Sequence, residues 1–221
     1  MARTIKPRKS RISIVVIADG EDEKWYLEKV REYYHPDILR RISIKPDLVQ
    51  KKKVTQLFEE AENKVKEGVS YVLLIIDFDE LLKNNSELEK FKNLYGKYLD
   101  VTSAPVKKNK KYAWMERLKV IVNNPCLEYW YLLHFRKTNK FYPNFLSLKP
   151  DLTAIPNLRD YDKNENYYKR TPDIYMRLGG EEKLICARRN ATPFQLHQCQ
   201  NTGGSEMNLL FDFFDEVAES I

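Results

Sequence analysis

Long apolar segments alternate with amphipathic segments along the amino-terminal half of the chain. Continuous apolar runs rich in β-branched residues lie at 12–18, 70–77 and 118–122. They predict strands that are buried on both faces, as in a parallel sheet. A partly alternating segment at 38–45 predicts one further strand.

Helices are predicted between these strands. Apolar residues recur at helical spacing from about 22 to 35, in a segment that follows Lys53 and ends near Gly68, and in a segment that begins at Ser86. The β-α-β-α-β-α order predicts an α/β fold, with a mostly parallel sheet of about four strands flanked by helices.

The fourth strand is followed by a helix that is apolar on nearly every side. This helix covers residues 126–135, with Asn124 predicted as its cap and Pro125 in its first turn. A helix that is apolar all round is buried, so we expect its carboxylate Glu128 to face a partner near the strand ends. For His134, a hydrogen-bonded core position and a functional role both stay open.

The carboxy-terminal part is less regular. Prolines and weak periodicity over 142–160 predict an extended connection or a partner-binding arm, and Ser205 is predicted to cap a last amphipathic helix. We divide the chain into a basic amino-terminal arm (1–11), an α/β core (12–136) and a helical carboxy-terminal extension (137–221) that packs on the core.

Composition narrows the class of protein. Hydrophobic residues make up 43% of the chain, which is enough for a real core. The net charge of +6 permits a polyanionic partner without requiring one. The three cysteines are widely spaced, so neither a zinc site nor a disulfide framework is predicted. Since the sequence shows no signal peptide and no membrane-spanning run, we expect a cytoplasmic protein without a membrane partner.

Two aspartates separated by one residue follow the strand at 70–77. In parallel sheets, ligands bind at the carboxyl ends of strands, where Asp77 and Asp79 fall. Residues i and i+2 of a strand point to the same side, so we expect both carboxylates to reach one ion. Mg²⁺ takes carboxylate oxygen ligands. The alternative is that one aspartate caps the next helix and the other is solvated.

A second acidic cluster follows the first strand. Asp19, Glu21, Asp22 and Glu23 crowd a strand end and a helix start, with Gly20 allowing a sharp turn between them. Acids at a helix start are favoured by the helix dipole, so capping is the alternative for Asp22 and Glu23. Four acids in five residues is more than capping needs.

Basic residues flank this acidic centre. The candidates for nucleic-acid binding are Arg8, Lys9 and Arg11 in the arm, Lys107, Lys108, Lys110 and Lys111 in a loop, and Arg170. Such positions either hold a nucleic-acid strand or keep the protein soluble, and both alternatives stay open.

The acidic clusters resemble the Toprim (topoisomerase–primase) domain, which has an acidic residue after its first strand and Asp-x-Asp after its third. Here these positions are Asp19 and Asp77-Phe78-Asp79. Residues 19–27 resemble the Glu-Gly-x-Thr-Glu-x-x-Tyr-Phe signature of OLD-type nucleases and RloB-like proteins, with Asp19 in place of Glu and Asp22 in place of Thr. Residues 123–135 resemble the Asn-Pro-Cys-Phe-Glu-x-Trp-x-x-x-His-Phe block of the RloB-like family.

The resemblance implies a bacterial phage-defence protein. It implies a nuclease dependent on Mg²⁺ or Mn²⁺ that cleaves DNA or RNA, such as tRNA, and works with an AAA or ABC-type ATPase in abortive infection. The implied metal ligands are Asp19, Glu23, Asp77 and Asp79. The other implied catalytic residues are Glu128 as a ligand or base, His134 as a carboxylate partner or proton donor, and Lys163 and Lys169, with Arg170, as phosphate partners.

A different class of function stays open. The chain could be a non-catalytic sensor or partner subunit that keeps the fold and binds an ATPase or a phage protein. The departure at Asp19 and the proline-rich segment 142–160 favour this alternative, whereas the Asp77 and Asp79 pair and the buried Glu128 favour the nuclease. Whether the protein forms a homo-oligomer also stays open.

Overall fold

A five-stranded, mostly parallel sheet lies at the centre of the fold. The computed structural model describes residues 12–18, 20–39, 43–45, 53–103 and 110–220. The strands are β1 (Ile14–Ala18), β2 (Ser43–Lys45), β3 (Tyr71–Asp77), β4 (Leu118–Asn124) and β5 (Gly204–Ser205). Their order is β2-β1-β3-β4-β5, with β1 to β4 parallel and β5 antiparallel to β4. The predicted α/β fold is confirmed, and β5 adds a short edge strand.

Helices connect and cover these strands. The α-helices are α1 (Glu21–Tyr33), α2 (Pro36–Leu39), α3 (Val54–Lys66), α4 (Phe78–Leu82), α5 (Asn85–Ser103), α6 (Glu128–Leu133), α7 (Phe145–Thr153), α8 (Glu165–Lys169), α9 (Ile174–Arg177), α10 (Gly180–Asn190) and α11 (Met207–Glu219). Short 3₁₀ helices lie at Lys110–Arg117, Pro156–Leu158 and Leu196–Gln198. Within the described residues, none of these helices is both long and apolar enough to cross a membrane.

Both faces of the sheet are buried because helices cover each of them. Successive side chains of a strand point to opposite faces. Leu73 and Ile75 of β3 join a core layer with α1, α6 and α11, whereas Leu74 and Ile76 join a layer with α3 and α5. The register places Ala18 of β1 opposite Ile75, so neighbouring strands supply the same layer. This double burial explains why the strands read as continuous apolar runs.

The carboxy-terminal part of the chain shares this core. Trp130 of α6 stacks on Phe211 of α11, with ring centroids 5.8 Å apart. The Glu206 carboxylate accepts hydrogen bonds from the backbone N–H groups of Val122, at 3.1 Å, and Phe194, at 2.9 Å. These bonds hold the segment that contains β5 against β4.

The segment 142–160 is helical, so the predicted extended connection is wrong. Helix α7 begins after Asn144. The Asn144 side chain accepts a hydrogen bond from the Ser147 backbone N–H, and the Ser147 hydroxyl oxygen accepts one from the Asn144 backbone N–H. Pro150 lies within α7, and Pro156 is the first residue of a 3₁₀ turn, where a missing N–H costs nothing. The reciprocal cap supplies the helix start that the weak periodicity did not reveal.

Asn124 does not cap α6, contrary to the prediction. Its side-chain N–H groups donate instead to the carbonyl groups of Cys199 and Thr202, each over 2.8 Å. Helix α6 begins only at Glu128. Asn124 therefore ties the end of β4 to the loop that precedes β5.

Candidate active site at the carboxyl edge of the sheet

The carboxyl edge of the sheet opens into a cleft of about 880 Å³ beside the end of β3. This is the edge at which parallel α/β sheets bind their ligands. Its lining includes the acids Asp22, Glu23, Asp77 and Asp79, together with Gly20, Cys126, Asn144, Phe145, Leu146 and Lys163. The fold thus gathers acidic, basic and apolar side chains from segments that are far apart in the chain.

Asp77 and Asp79 both line this cleft, but from different elements. Asp77 is the last residue of β3, and Asp79 lies in the first turn of α4. The prediction that they share one side of a strand is wrong, because the helix already begins at Phe78. The Asn123 side chain on β4 donates to Asp77 Oδ1 over 3.4 Å. Burial raises the pKa of Asp79, and the nearby Phe145 backbone offsets part of this rise.

Glu23 is buried in the first turn of α1, directly beside Gly20. A Cβ atom on Gly20 would lie 2.5 Å from Glu23 Oε2, closer than such atoms approach in proteins. The Gly20 backbone is extended, with φ of −125°, so other residues could adopt it. A side chain at this position would therefore displace the Glu23 carboxylate, whereas the backbone shows no sharp turn of the predicted kind that requires glycine.

Lys163 brings a positive charge into this acidic group. Its Nζ lies 2.8 Å from Glu128 Oε1 and 2.9 Å from Asp22 Oδ2. Glu128 is fully buried at the start of α6, and the expected partner near the strand ends is confirmed as Lys163. Burial alone lowers the pKa of Lys163, but the Glu128 and Asp22 carboxylates outweigh burial and raise it overall. The lysine is therefore a cation in this cleft.

Three buried tyrosines support Glu128 from behind. Tyr161 donates its hydroxyl to Glu128 Oε1 over 2.5 Å. The hydroxyl groups of Tyr161 and Tyr168 lie 2.6 Å apart, and Tyr131 donates to Tyr168 over 3.3 Å. Since Tyr161 uses its proton on the carboxylate, its oxygen accepts from Tyr168. The chain of hydrogen bonds therefore points towards Glu128 and fixes the orientation of its carboxylate.

Burial, followed by the charges of neighbouring acids, raises the pKa values of Asp22, Glu23, Asp77 and Asp79. Burial, followed by the nearby Asp22 carboxylate, raises the pKa of Glu23 to about 7. Burial also raises the pKa of Asp77 well above its usual value, and the charges of Glu23 and Glu128 raise it further. Burial is the largest cause of the raised pKa of Asp22 and of Asp79. Lys163 therefore does not hold these carboxyl pKa values at their usual level, and the ionised forms of the four acids are disfavoured in this cleft.

The donor atoms of this cluster suit a hard divalent cation. Glu23 Oε2 and Glu128 Oε2 are buried and have no hydrogen-bond partner among the described residues, although buried polar atoms usually have one. Carboxylate oxygens are ligands that Mg²⁺ prefers. Within the described ranges, no three His, Cys, Asp or Glu side chains form a group able to hold a metal ion as they stand. Asp19, the remaining predicted ligand, lies outside those ranges. The donors thus fit the ion in chemistry and charge.

Comparison with known protein families decides the membership of the chain. A family model described as RloB-like protein matches residues 14–212. The chain belongs to the RloB-like family. No curated protein and no solved structure matches it. The resemblance noted in residues 19–27 and 123–135 is therefore confirmed at the level of the family.

His134 of this RloB-like protein lies in the core and is not among the residues that line the cleft. Its Nδ1 lies 3.0 Å from the carbonyl oxygen of Trp130. Burial lowers the pKa of His134 to about 4, so the imidazole is neutral at pH 7. This geometry is that of a hydrogen-bonded core residue.

Lys169 and Arg170 also lie away from the cleft lining. Lys169 Nζ is 2.6 Å from Glu165 and 3.0 Å from Glu28. Arg170 pairs with Asp160 and lies over the Tyr167 ring, 5.3 Å from its centroid. Of the predicted phosphate partners in this region, the structure brings only Lys163 to the acidic cluster.

The predicted nucleic-acid-binding lysines are described only in part. Lys110 and Lys111 begin a 3₁₀ helix, and Lys111 lies over the Tyr112 ring, 5.5 Å from its centroid. Arg8, Lys9, Arg11, Lys107 and Lys108 lie outside the described residues. Neither Lys110 nor Lys111 is part of the cleft lining.

Sequence reasoning missed several residues of the RloB-like cleft. Asp22 was read as a possible helix cap, but it pairs with Lys163 instead. Phe145 and Leu146 are missed because they belong to the segment 142–160, for which the sequence predicts an extended connection. Tyr161, which hydrogen-bonds to Glu128 behind the cleft, follows that segment and is missed as well. The only available signal was the run of polar and aromatic residues that follows that segment.

Proposed function

We propose that this RloB-like protein is a Mg²⁺- or Mn²⁺-dependent nuclease that cleaves phosphodiester bonds in DNA or RNA, such as tRNA, in bacterial phage defence. The observation that carries the proposal is the buried acidic cluster at the carboxyl edge of the sheet. Excess buried carboxyl groups are costly unless a cation offsets them. Clusters of groups with shifted pKa values are typical of functional sites.

Glu23, Asp77 and Asp79 would hold the ion in this proposal, together with Asp19 from outside the described residues. A bound Mg²⁺ ion would supply a polarised water and stabilise the leaving oxygen of the phosphodiester. Asn123 orients Asp77 through a side-chain hydrogen bond. This contact reduces the reorganisation that binding requires.

Lys163 would bind a non-bridging phosphate oxygen of the substrate. Its side chain lines the cleft and keeps 32% of its surface exposed, whereas Glu128 is fully buried. Because Glu128 cannot contact the substrate at this burial, we assign it the role of positioning Lys163. Tyr161 in turn positions Glu128 through its short hydrogen bond.

The test replaces the two cleft aspartates and measures both binding and cleavage. Wild type, an Asp77→Asn/Asp79→Asn double variant and a Glu89→Gln control are titrated with Mg²⁺ and Mn²⁺ by calorimetry. Each is then incubated with plasmid, single-stranded DNA and total tRNA. Glu89 is a suitable control because it lies on α5 with 70% of its side chain exposed.

We expect metal binding and cleavage in wild type and in the control, and loss of both in the double variant. Loss of cleavage by about a thousandfold or more is the scale for removing a charge-stabilising group from an active site. If wild type binds neither metal, the nuclease proposal is refuted.

A non-catalytic partner subunit is the second candidate. It is favoured by Lys163, which already neutralises part of the acidic cluster, and by the absence of a ready group of three metal ligands within the described ranges. Its partner would be an ATPase of the AAA or ABC type, or a phage protein. Wild type that binds no metal, but forms a stable complex with such an ATPase, would favour this candidate.

A further inference from the structure

We infer that Phe145 and Leu146 form an apolar rim that binds an unstacked nucleobase of the substrate, next to the phosphodiester that is cleaved. This inference rests on the proposed nuclease function and adds a base-binding subsite to it. Both residues line the mouth of the acidic cleft. The remaining features of the rim are its exposure, its rigidity and its direct link to the acidic cluster.

Leu146 is exposed to an unusual degree. Its relative exposure is 76%, whereas the other large exposed hydrophobic residues that the structure describes lie between 36% and 48%. An isolated exposed leucine needs no explanation on an ordinary surface. At the mouth of a charged cleft, however, it supplies the one strongly exposed aliphatic side chain of the described lining.

The rim is held rigidly. Phe145 and Leu146 are the first two residues of α7, whose start is fixed by reciprocal hydrogen bonds between Asn144 and Ser147. The Phe145 ring also contacts Tyr161, with ring centroids 6.1 Å apart. Since the backbone is fixed by a helix cap, Leu146 can project into the cleft mouth without being ordered by the ligand, which lowers the entropic cost of binding.

The rim is joined to the charged groups on both sides. Asp79 and Lys163 line the same cleft as Phe145, and Lys163 Nζ lies 4.5 Å from the centroid of the Phe145 ring. A phosphate that contacts Lys163 therefore lies within one nucleotide of the rim. When the phosphate contacts Lys163, the base of the adjacent nucleotide can therefore contact the apolar rim.

A nucleobase fits this rim better than a protein partner does. A base presents a flat apolar face of the size of one or two side chains, and such stacking is tolerant of sequence. A stable protein interface needs a much larger contiguous patch. The next exposed leucines, Leu99 and Leu209, belong to α5 and α11 rather than to the cleft lining. The base must be unstacked, so the substrate is single-stranded or frayed at this position.

The experiment compares substrates that differ by one base. A labelled single strand is prepared with an abasic residue at each position in turn, and kcat/KM is measured for cleavage at each phosphodiester. The proteins are wild type, Leu146→Ala, Leu146→Met and Leu99→Ala. Leu99→Ala is the matched control because it removes an exposed leucine from a helix outside the cleft. The 76% exposure of Leu146 makes its replacement harmless to folding.

For wild type, we expect loss of one base to slow cleavage at the adjacent bond by roughly tenfold, the lower end of base-stacking effects. Leu146→Ala should reduce this preference to less than about twofold, while Leu146→Met and Leu99→Ala should keep it. A Leu146→Ala protein that keeps the full preference, or a wild type that shows none while still cleaving, overturns the subsite alone. A wild type that cleaves no strand overturns the nuclease proposal and the subsite with it.

Discussion

Replacing Lys163 with methionine tests the charge balance of the cleft. Methionine keeps much of the side-chain volume but removes the cation that lies 2.8 Å from Glu128 and 2.9 Å from Asp22. Glu128 is then a buried carboxylate that keeps its hydrogen bond from Tyr161 but has lost its paired cation. We therefore expect a large loss of stability from a single substitution.

The magnitude follows from burial. Removing one member of a fully buried ion pair costs about 3–5 kcal/mol, because the other charge is left uncompensated. Since 32% of the Lys163 side chain is exposed, water offsets part of this cost, and we expect roughly 2–3 kcal/mol. Lys169→Met is the matched control. Its partners Glu28 and Glu165 are both partly exposed, so its loss should stay below about 1 kcal/mol.

The free energy of unfolding of both variants and of wild type is measured by urea denaturation at pH 7.5 without divalent ions. A Lys163→Met/Glu128→Gln double variant completes the cycle, because glutamine removes the charge that the lysine compensated. We expect the double variant to recover about 1–2 kcal/mol relative to Lys163→Met, which is a coupling energy typical of groups in contact. If Lys163→Met is no less stable than Lys169→Met, or if Glu128→Gln gives no recovery, Lys163 does not neutralise a buried charge and the reasoning is wrong.

Two further predictions concern Gly20 and His134. Gly20→Ala should displace the Glu23 carboxylate, since the new Cβ would meet Oε2 at 2.5 Å, and Mn²⁺ affinity measured by calorimetry should fall roughly tenfold. Gly96→Ala is the control, because a Cβ there meets open space; equal affinities in the two variants would contradict the prediction. Burial lowers the pKa of His134 to about 4 in the folded protein. The unfolded chain therefore takes up the proton at a higher pH than the folded protein does, and the free energy of unfolding falls as pH decreases from about 6.5 to 4. Relative to His134→Gln, wild type should lose roughly 3 kcal/mol over this window in urea unfolding, and parallel pH profiles would contradict it. Nuclease activity should survive His134→Gln, because the imidazole does not line the cleft.

The sheet could be predicted from sequence because each strand is a run of apolar residues that are adjacent in the chain. A strand such as Tyr71–Asp77 is buried on both faces, so every residue in it is apolar until the strand ends at the cleft. The order of the elements then places its carboxyl end at a ligand-binding edge. Asp77 and Glu23 were therefore expected in the cleft before their contacts were known.

The partners of these acids could not be predicted in the same way. Lys163 reaches Glu128 from a distant segment, and nothing in its local sequence distinguishes it from Lys169, which lies on the surface. The sequence also does not show that the strand ends before Phe78 and that a helix begins there, because an apolar residue between two acids is compatible with either structure. Contacts that depend on tertiary folding leave no periodic pattern in the chain.

The raised pKa of Glu23 separates the two candidate functions. A carboxyl pKa that rises to about 7 in the folded protein means that the native state binds the proton more tightly than the unfolded chain. This group therefore costs stability progressively as pH rises from about 4.5 to 7. In a nuclease, a divalent cation takes the place of that proton. Mg²⁺ should therefore raise the unfolding temperature of the protein at pH 7.5. At pH 5.5, where Glu23 is protonated, most of this stabilisation by Mg²⁺ should be absent. In a non-catalytic subunit, the lysines that line the cleft and the proton on Glu23 balance the charge. Mg²⁺ should then have no such effect at either pH.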